Sequence, residues 1–374
     1  MSDKLSMKIL ICNFESLRTP SGVTSYAVKL LRHLPCLRAL TTRNTFQTPL
    51  EGRETNLAAK TRYNEIIWMT YANIRRMNRE IRKADLIHLN PFNFTELVLL
   101  FLTKIHGKRC IATMHSNINA YFLTPVLALE MARLIIVYNI MLLTADKLIF
   151  LSQAHAENFH QYSLLKKRFT AKATIIPNAM EDERILPVRK PLPGTPLNCL
   201  FVGRLERRKG IYDVLKLAEL LREEGDDGIH FTIAGFGPLT IEKTPPNVTF
   251  VGKIPNEDIF AYYDRSHVLL MASYSEACGI NILEAMARGL VVLASDIPGI
   301  RERIEPDRNG YLFQPGDIGT MKEQLLHLRN NPQEMERIGQ NNLADVRQFT
   351  VANQAKQYLA VYRNVLNHAP SKSF

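Results

Sequence analysis

The chain of 374 residues, 46% hydrophobic and 22% charged, has the length and apolar content for two packed domains, which excludes a disordered or a fibrous protein. Its net charge of +11 is concentrated in the first half, because residues 1–180 contain 24 lysines and arginines against 11 acidic residues and the remainder contains 23 against 25. A basic half attracts anionic partners, and nucleic acid, anionic membranes and lipid diphosphates all stay candidates.

Short apolar runs alternate with helix-length segments in the first half of the chain. Lys8–Asn13 predicts a strand, the turn-rich residues 16–22 follow, and residues 23–34 have the spacing of a helix. Further strands are predicted at residues 86–89, 109–114, 147–151 and 174–176. This alternation predicts a parallel sheet with helices on both faces. Charged side chains interrupt the apolar residues 121–151, which therefore predict a buried helix pair and not a membrane span.

A proline-rich segment divides the chain. Residues 186–196, LPVRKPLPGTP, predict a linker between a first domain of residues 1–185 and a second domain of residues 197–348. Strands in the second half are predicted at residues 197–202, 230–234, 248–251, 268–271 and 291–294. Residues 351–366 predict a last helix, whose own pattern does not indicate the domain on which it packs. Two doubly wound domains would bind ligands beyond the carboxyl ends of their strands.

Two glutamates mark the densest motif of the second half, SYSEACGINILEAMARG at residues 273–289. Glu276 precedes Gly279, at which backbone can approach a ligand, and Glu284 lies in the opening turns of a predicted helix. A helix start presents free N–H groups and the positive end of a dipole, which suit a diphosphate, while carboxylates accept hydrogen bonds from sugar and ribose hydroxyls. The structural alternative is that these glutamates only favour the helix start.

Other candidates for chemistry lie at predicted strand ends. Arg204 and Lys209 bracket the loop in FVGRLERRKG, residues 201–210, where cations can neutralise charge on a departing diphosphate, as a metal ion does in other transferases. The alternative is a solvated basic loop. In the first half, His115 closes a predicted strand, and Gly22 lies at the first strand-to-helix turn, where backbone can approach a phosphate or a sugar. A lone histidine or turn glycine more often serves structure alone.

Cysteine usage and the first residues bear on the compartment. The five cysteines occur singly, without a CxxC pair or a short cluster with histidine, so neither a disulfide framework nor a structural zinc site is predicted. The first residues carry no apolar stretch of signal-peptide length. We therefore expect a cytoplasmic protein.

The order of these features resembles family 4 of the glycosyltransferases, the retaining nucleotide-sugar enzymes of GT-B fold. The resemblance covers nearly the whole chain, and the spacing of Glu276 and Glu284 is its most specific mark. The other matching positions are SG at 21–22, DLIH at 85–88, TMH at 113–115, Ser152, IPN at 176–178, GR at 203–204, KG at 209–210, GFG at 235–237, GKI at 252–254 and Glu302. The fold class that the resemblance implies is α/β, with two doubly wound Rossmann-like domains facing a central cleft. A C-terminal helix of about residues 350–368 would pack on the first, acceptor-side domain, and the second would hold the donor.

The resemblance also implies a role for each matching residue. The catalytic residues would be Arg204 and Lys209, which grip the donor diphosphate, Glu276, which binds the transferred sugar, and His115, which contacts the sugar or the transition state. Glu284 would hold the ribose hydroxyls. The remaining donor-binding positions are Gly22 on the opposite domain, Gly203, Lys253 and Ile254 near the nucleobase, and the amides around Cys278, Gly279, Ile280 and Asn281.

The chain departs from the family pattern at two places. The family often has Gly-Phe-Gly after the first glutamate, whereas this chain has Ala277, Cys278 and Gly279. The first loop of the family often carries two adjacent glycines, whereas here Ser21 precedes Gly22. These departures concern the shape of the sugar pocket and the phosphate contact of the first domain.

The activity implied is transfer of a hexose or an N-acetylhexosamine from a nucleotide sugar, with a UDP-linked donor expected before GDP-mannose. Front-face substitution, in which the leaving phosphate oxygen receives the acceptor's proton, requires no enzymic base, and we expect neither a metal ion nor a cofactor beyond the donor. The basic first domain favours a glycan or lipid-linked acceptor, used in surface polysaccharide or glycolipid synthesis. It also favours peripheral association with an anionic membrane at the inner face of the plasma membrane.

Three other interpretations stay open. A nucleotide-sugar epimerase of GT-B fold would share the architecture. A nicotinamide-dependent oxidoreductase would share doubly wound sheets, although no GxGxxG follows the opening strand. A non-enzymatic nucleic-acid binder would explain the charge, although no RNA- or DNA-binding motif accompanies it, and we expect no nucleic-acid partner.

Overall fold

The computed structural model describes residues 7–13, 22–42, 54–57, 71–90, 95–115, 118, 125–186, 196–241, 243–255, 257–276 and 278–367, and the statements below refer to these residues. The chain divides into two compact units, one of Met1–Asn178 with Val351–Phe374 and one of Ala179–Thr350. Each unit contains one parallel sheet with helices on both faces.

The strands and helices alternate along most of the chain. The strands are β1 (Ile9–Asn13), β2 (Leu37–Thr42), β3 (Glu54–Leu57), β4 (Leu86–Leu89), β5 (Arg109–Thr113), β6 (Lys147–Phe150), β7 (Ala173–Ile175), β8 (Leu197–Val202), β9 (Ile229–Ala234), β10 (Val248–Gly252), β11 (Val268–Met271), β12 (Val291–Ser295) and β13 (Gly310–Phe313). The helices are α1 (Gly22–His33), α2 (Tyr71–Lys83), α3 (Thr95–Ile105), α4 (Pro125–Thr144), α5 (Gln153–Gln161), α6 (Lys166–Lys172), α7 (Ile211–Glu223), α8 (Ile259–Asp264), α9 (Ile280–Met286), α10 (Pro298–Arg301), α11 (Ile318–Asn330), α12 (Pro332–Asp345) and α13 (Val351–Asn367).

Both sheets are doubly wound. The first has the strand order β3-β2-β1-β4-β5-β6-β7 and the second β10-β9-β8-β11-β12-β13, with parallel pairing throughout. The strand order therefore reverses between β1 and β4 in the first unit and between β8 and β11 in the second. Crevices beyond the carboxyl ends of the strands at such reversals bind ligands in folds of this class. The predicted α/β fold class of two doubly wound domains is confirmed.

Alternate residues of one strand belong to different cores, as expected for a sheet covered on both faces. In β1, Leu10 and Cys12 pack in one cluster with the buried side of α4, whereas Ile9 and Ile11 pack in another with α1. The second unit repeats this arrangement, since Leu270 of β11 lies in one cluster and Leu269 in the other. All side chains of β4, β11 and β12 are buried.

The last helix, α13, is part of the first unit. Its residues Tyr358, Tyr362 and Val365 pack in the same core as Leu30 and Leu31 of α1. The two tyrosine hydroxyls also reach polar atoms of β4 and β5, so this helix closes a buried polar network as well as an apolar core.

The second unit begins earlier than the sequence predicted. Residues 179–185, which the sequence placed with the first domain, lie in the second unit. The amide of Met180 donates to the carbonyl of Phe349 at 2.7 Å, that of Leu186 donates to Ala287 at 3.1 Å, and Ile185 packs on the core. These contacts hold the segment to the second unit. Residues 187–195 of the predicted linker lie outside the described residues.

The sequence missed three strands, and each miss has a physical reason. β2 and β3 contain Arg38, Glu54 and several threonines, so they lack the apolar runs by which the other strands were found. β13 begins at Gly310, and glycine is depleted in strands. Among the described helices, none combines the length and the apolarity needed to cross a membrane.

Candidate functional site

The loop after β8 is tightly held by its neighbours. A side chain on Gly235 would overlap the carbonyl of Gly203, and one on Gly210 would overlap the carbonyl of Ala272, which follows β11. Gly210 also has φ of 70°, a left-handed conformation that glycine tolerates best. The loop therefore lies against the ends of both neighbouring strands, where the strand order reverses.

An ion pair joins the loops after β8 and β11. The Lys209 Nζ contacts the Glu276 Oε1, and the Ser273 hydroxyl donates to the same oxygen at 3.4 Å. Only 15% of the lysine side chain and 11% of the glutamate side chain are exposed. The amide of Tyr274 donates to the carbonyl of Arg208 at 2.8 Å, so backbone also connects the two loops. The structure thus brings together two of the residues predicted to be catalytic.

Glu284 has a partner that the sequence did not indicate. The hydroxyl of Tyr263, at the end of α8, donates to the Glu284 Oε2 at 2.7 Å. Burial, and then the glutamate's charge, raises the pKa of Tyr263 well above its ordinary value, so the phenol keeps its proton and remains a donor. The glutamate carboxylate is thereby oriented before any ligand binds.

The start of α9 is anchored to the neighbouring strand. The Asn281 side chain donates to the carbonyl of Val202, the last residue of β8, at 2.6 Å. Gly279, with φ of 41°, precedes this seven-residue helix, and Ile280 is its first residue. The predicted donor-binding positions Gly203, Gly279, Ile280 and Asn281 therefore surround the same carboxyl end of β8 and β11.

Arg204 contacts a different glutamate from Lys209. Its guanidinium contacts Glu206 at 2.7 Å, Glu206 also contacts Arg208 at 2.7 Å, and 61% of the Arg204 side chain is exposed. Arg204 and Lys209 belong to the same loop, but among the described residues their side chains bind different glutamates. That both cations bind one donor diphosphate stays a prediction.

Cys278 contacts an arginine that sequence reasoning missed. The thiol is buried, and the Nη2 of Arg303 lies 3.3 Å from the Cys278 Sγ. The same guanidinium lies 4.2 Å from the centre of the Phe349 ring. Arg303 stands 25 residues beyond Cys278, outside every motif. Only the contact in the folded chain identifies Arg303 as a neighbour of Cys278. Ala277, between Glu276 and Cys278, lies outside the described residues.

Of the positions predicted to lie near the nucleobase, Lys253 is more exposed than the Lys209–Glu276 pair. The Lys253 Nζ lies 5.0 Å from the centre of the Phe236 ring, and both side chains are exposed. Ile254 is half-buried against the core of the second unit. Lys253 and Ile254 follow β10, whereas Phe236 belongs to the loop after β9. The exposed Phe236 ring therefore lies beside the carboxyl end of β10.

In the first unit, His115 follows β5 and faces polar and aromatic groups. Its Nε2 lies 3.3 Å from the Asn90 Oδ1, and its ring centre lies 5.0 Å from that of Tyr26. Burial lowers the pKa of His115 to about 3, with a smaller contribution from His155, so the imidazole is neutral near pH 7. Gly22 is the first residue of α1.

Neighbouring His88 lies at the centre of the buried polar network. Its Nδ1 is 2.8 Å from the hydroxyl of Tyr362, and its Nε2 is 2.8 Å from the hydroxyl of Thr113. Burial lowers the pKa of His88 to about 3, helped by His115. Among the described residues, no group of three or more histidine, cysteine, aspartate or glutamate side chains is placed to hold a metal ion.

Two protein-family models match successive parts of the chain. The model described as Glycosyltransferase Family 4 matches residues 20–184, and the model described as Glycosyl transferases group 1 matches residues 182–344. The chain belongs to the group 1 glycosyltransferases of family 4. The first model covers β2 to β7 of the first sheet and the second contains the Lys209–Glu276 pair, so the family assignment and the site agree in position.

Relatives of this family 4 chain include the amylovoran biosynthesis glycosyltransferase AmsK of Erwinia amylovora, 33% identical over 147 residues that make up 36% of each chain. A glycogen synthase of Mycobacterium tuberculosis is 28% identical over 207 residues, 52% of this chain and 50% of the relative. The chain thus spans between a third and a half of the length of these relatives.

Solved structures share the fold over almost the whole chain. Anabaena Alr3699/HepE in complex with UDP-glucose matches with a TM-score of 0.74 and 17% identity, covering 96% of this chain and 100% of the other. The sucrose-phosphate synthase of Thermosynechococcus elongatus matches with a TM-score of 0.72 and 19% identity, covering 96% and 99%. The fold of this chain is GT-B.

Proposed function

We propose that this chain is a retaining glycosyltransferase, which moves a hexose or an N-acetylhexosamine from a UDP-linked donor to a glycan or lipid-linked acceptor in surface polysaccharide or glycolipid synthesis. The observation that carries the proposal is the mostly buried Lys209–Glu276 ion pair at the carboxyl ends of β8 and β11. Family membership supports the reaction class. The amylovoran relative and the UDP-glucose complex of HepE support the pathway and the nucleotide.

The ion pair holds the positive charge of Lys209 at a place where a diphosphate can bind it. When the donor binds, a diphosphate oxygen replaces or shares the carboxylate as the partner of Lys209, and Glu276 is released to accept hydrogen bonds from the sugar hydroxyls. Arg204, which is exposed on the same loop, can exchange Glu206 for the second phosphate by rotating its side chain. In this proposal the protein's own cations neutralise the leaving group, so no metal ion is required.

Transfer then proceeds on one face of the sugar. The bond between the anomeric carbon and the diphosphate oxygen breaks, the acceptor oxygen bonds to the same face of that carbon, and the acceptor proton passes to the leaving phosphate oxygen. Glu284, oriented by Tyr263, holds the ribose hydroxyls during this step. Neutral His115 can offer one hydrogen bond to a sugar hydroxyl without adding a charge. The chain's contribution is mainly positioning and charge stabilisation.

A thermal-shift screen with UDP, UDP-glucose, UDP-N-acetylglucosamine, GDP-mannose and NAD tests the donor class. Ligands that bind the folded chain raise its melting temperature, and we expect the UDP compounds to give the largest rise. Stabilisation by NAD alone would contradict the proposal. Lys209→Ala should lose the UDP response, whereas Lys216→Ala, an exposed lysine of α7, should keep it.

Product analysis tests the reaction itself. Incubation with the UDP-sugar and lipid-linked or glycan acceptors should give a glycoside whose anomeric configuration, read by nuclear magnetic resonance, matches that of the donor. An inverted product would contradict retention. Conversion of the donor sugar in the absence of acceptor would identify an epimerase instead. Full activity in the presence of a chelator is expected, and its loss would contradict metal independence.

A further inference from the structure

Half of the large apolar side chains that the described residues expose lie on one part of the first unit. They are Phe101, Ile105, Ile136, Leu143 and Leu164, with exposures of 65%, 60%, 59%, 46% and 81%. We call these five residues the apolar face. Single exposed apolar residues are ordinary, whereas a contiguous group marks a surface that binds something.

The helices bring these side chains to the same side. Phe101 and Ile105 are four residues apart on α3, and Ile136 and Leu143 are seven apart on α4, so each pair forms one stripe of its helix. Both helices connect successive strands of the run β4-β5-β6 and pack on the same core. Their exposed stripes therefore both point away from the sheet.

Hydrogen bonds fix Leu164 beside α4. Its amide donates to the Oδ1 of Asn139 at 2.9 Å, and the Nδ2 of Asn139 donates to the carbonyl of Tyr162 at 3.1 Å. Asn139 lies three residues after Ile136 and four before Leu143, which makes all three neighbours on the helix surface. The most exposed leucine is thus held next to the α4 stripe by a defined turn.

Exposed cations lie close in sequence to members of the apolar face. Lys167 and Arg168, three and four residues after Leu164, are exposed on α6, and Lys104 is exposed between Phe101 and Ile105. We call these three cations the basic rim. Residues 101–172 contain nine lysines and arginines against three acidic residues. One of those acids, Asp146, is engaged by Arg109 at 2.6 Å and by Lys104 at 3.6 Å. The surface therefore combines apolar side chains with an excess of positive charge.

We propose that the apolar face and the cations beside it dock the first unit on the surface of an anionic lipid bilayer. Apolar side chains that enter the headgroup region and a basic rim that meets lipid phosphates are the two elements of interfacial binding. The basic rim favours lipid over a protein partner, because a bilayer presents both acyl chains and a dense layer of negative charge. The docking does not depend on the donor chemistry proposed above, since it needs no nucleotide sugar.

Sedimentation of the full chain with vesicles tests the proposal. We expect binding to vesicles of phosphatidylcholine mixed with phosphatidylglycerol, weak binding to phosphatidylcholine alone, and release by salt. Ile136→Ser with Leu164→Ser should lower the partition coefficient at least about tenfold, and Lys167→Gln with Arg168→Gln should lower it by a similar factor. The matched control, Lys216→Gln with Arg222→Gln on α7 of the second unit, should bind as the unchanged chain does.

Each variant is first compared with the unchanged chain by melting temperature and by donor hydrolysis in the absence of vesicles, both of which should be preserved. Equal binding to neutral and anionic vesicles, or full binding by both variants of the apolar face and its rim, would overturn the proposal. The proposal would also be overturned if the chain did not bind vesicles but formed dimers, measured by light scattering, and if Ile136→Ser with Leu164→Ser dissociated those dimers. The apolar face would then be a protein interface. If the chain turned over the donor normally but did not bind vesicles, the membrane proposal would fail and the proposed transferase activity would not be affected.

Discussion

Lys209 and Glu276 form an ion pair although they come from different loops, one after β8 and the other after β11. Both side chains are mostly buried, and the pair lies where the strand order of the second sheet reverses. In the absence of a ligand each charge satisfies the other. A donor diphosphate can then be recognised by exchange of partners, which keeps the lysine charge compensated before and after binding.

A double-variant cycle separates the pairing from the donor contact. Lys209→Met leaves the Glu276 carboxylate mostly buried without its cation, so the free energy of unfolding should fall by about 1–3 kcal/mol. Adding Glu276→Gln should restore part of that stability without restoring donor turnover. Urea unfolding and turnover assays measure the two effects. Recovery of turnover in the double variant would mean that Lys209 acts only as a structural partner.

Tyr263→Phe tests the orientation of Glu284. The change removes a buried hydrogen bond of 2.7 Å and should lower the free energy of unfolding by about 1–2 kcal/mol. It should also weaken UDP binding severalfold, because the carboxylate loses its fixed direction. Calorimetric titration with UDP and with its 2′,3′-dideoxy analogue distinguishes the cause: the analogue should bind both proteins equally. Tyr262→Phe, a half-buried neighbour, is the control. Equal weakening for both ligands would argue against a ribose contact.

Two glycines with similar backbone angles should respond very differently to alanine. Gly210 and Gly225 have φ of 70° and 74°, but an added methyl at Gly210 would overlap the Ala272 carbonyl, whereas nothing lies within 4 Å at Gly225. We expect Gly225→Ala to cost about 1 kcal/mol, and Gly210→Ala to cost at least about 3 kcal/mol or to prevent folding. Thermal unfolding of both variants checks this. Similar melting temperatures would contradict the close packing of the loop after β8.

Buried His88 should make the first unit sensitive to acid. Its pKa is lowered from 6.5 to about 3, so the unfolded chain binds more protons than the folded chain between these values. Stability is then complete above pH 6.5 and falls as the pH drops towards 3, by up to about 1.4 kcal/mol per pH unit. His88→Asn should reduce this slope in urea unfolding measured at several pH values. Because His115 has a similar shift, part of the slope should remain in the variant. An unchanged slope would contradict the assignment.

The fold was predictable because buried parallel strands leave a strong signal. β4, β11 and β12 are short apolar runs between helix-length segments, and all three were located from sequence. Residue pattern alone did not assign α13 to a unit, since its tyrosines satisfy partners such as Thr113 and His88, which are far away in the chain. The end of the first unit was misplaced because short backbone contacts, such as that of Met180 with Phe349, have no sequence signature.

The candidate site was predictable only where residues belong to local motifs. Lys209 and Glu276 each lie in a recognisable loop, and the family resemblance placed them in one site. Tyr263 and Arg303 were not found, because they reach Glu284 and Cys278 across 21 and 25 residues through contacts that only the folded chain creates. The pairing of Arg204 with Glu206 was not predictable either, because a contact between side chains two residues apart depends on how the loop folds.

The most direct test of the account is a calorimetric titration of UDP into the unchanged chain, Lys209→Ala and the control Lys216→Ala. We expect the unchanged chain and the control to bind UDP equally, and Lys209→Ala, while still folded, to bind at least about tenfold more weakly because it loses a charged contact to the diphosphate. Equal affinity of all three proteins for UDP, or no binding by the unchanged chain, would contradict the claim that the β8 and β11 loops form the diphosphate site.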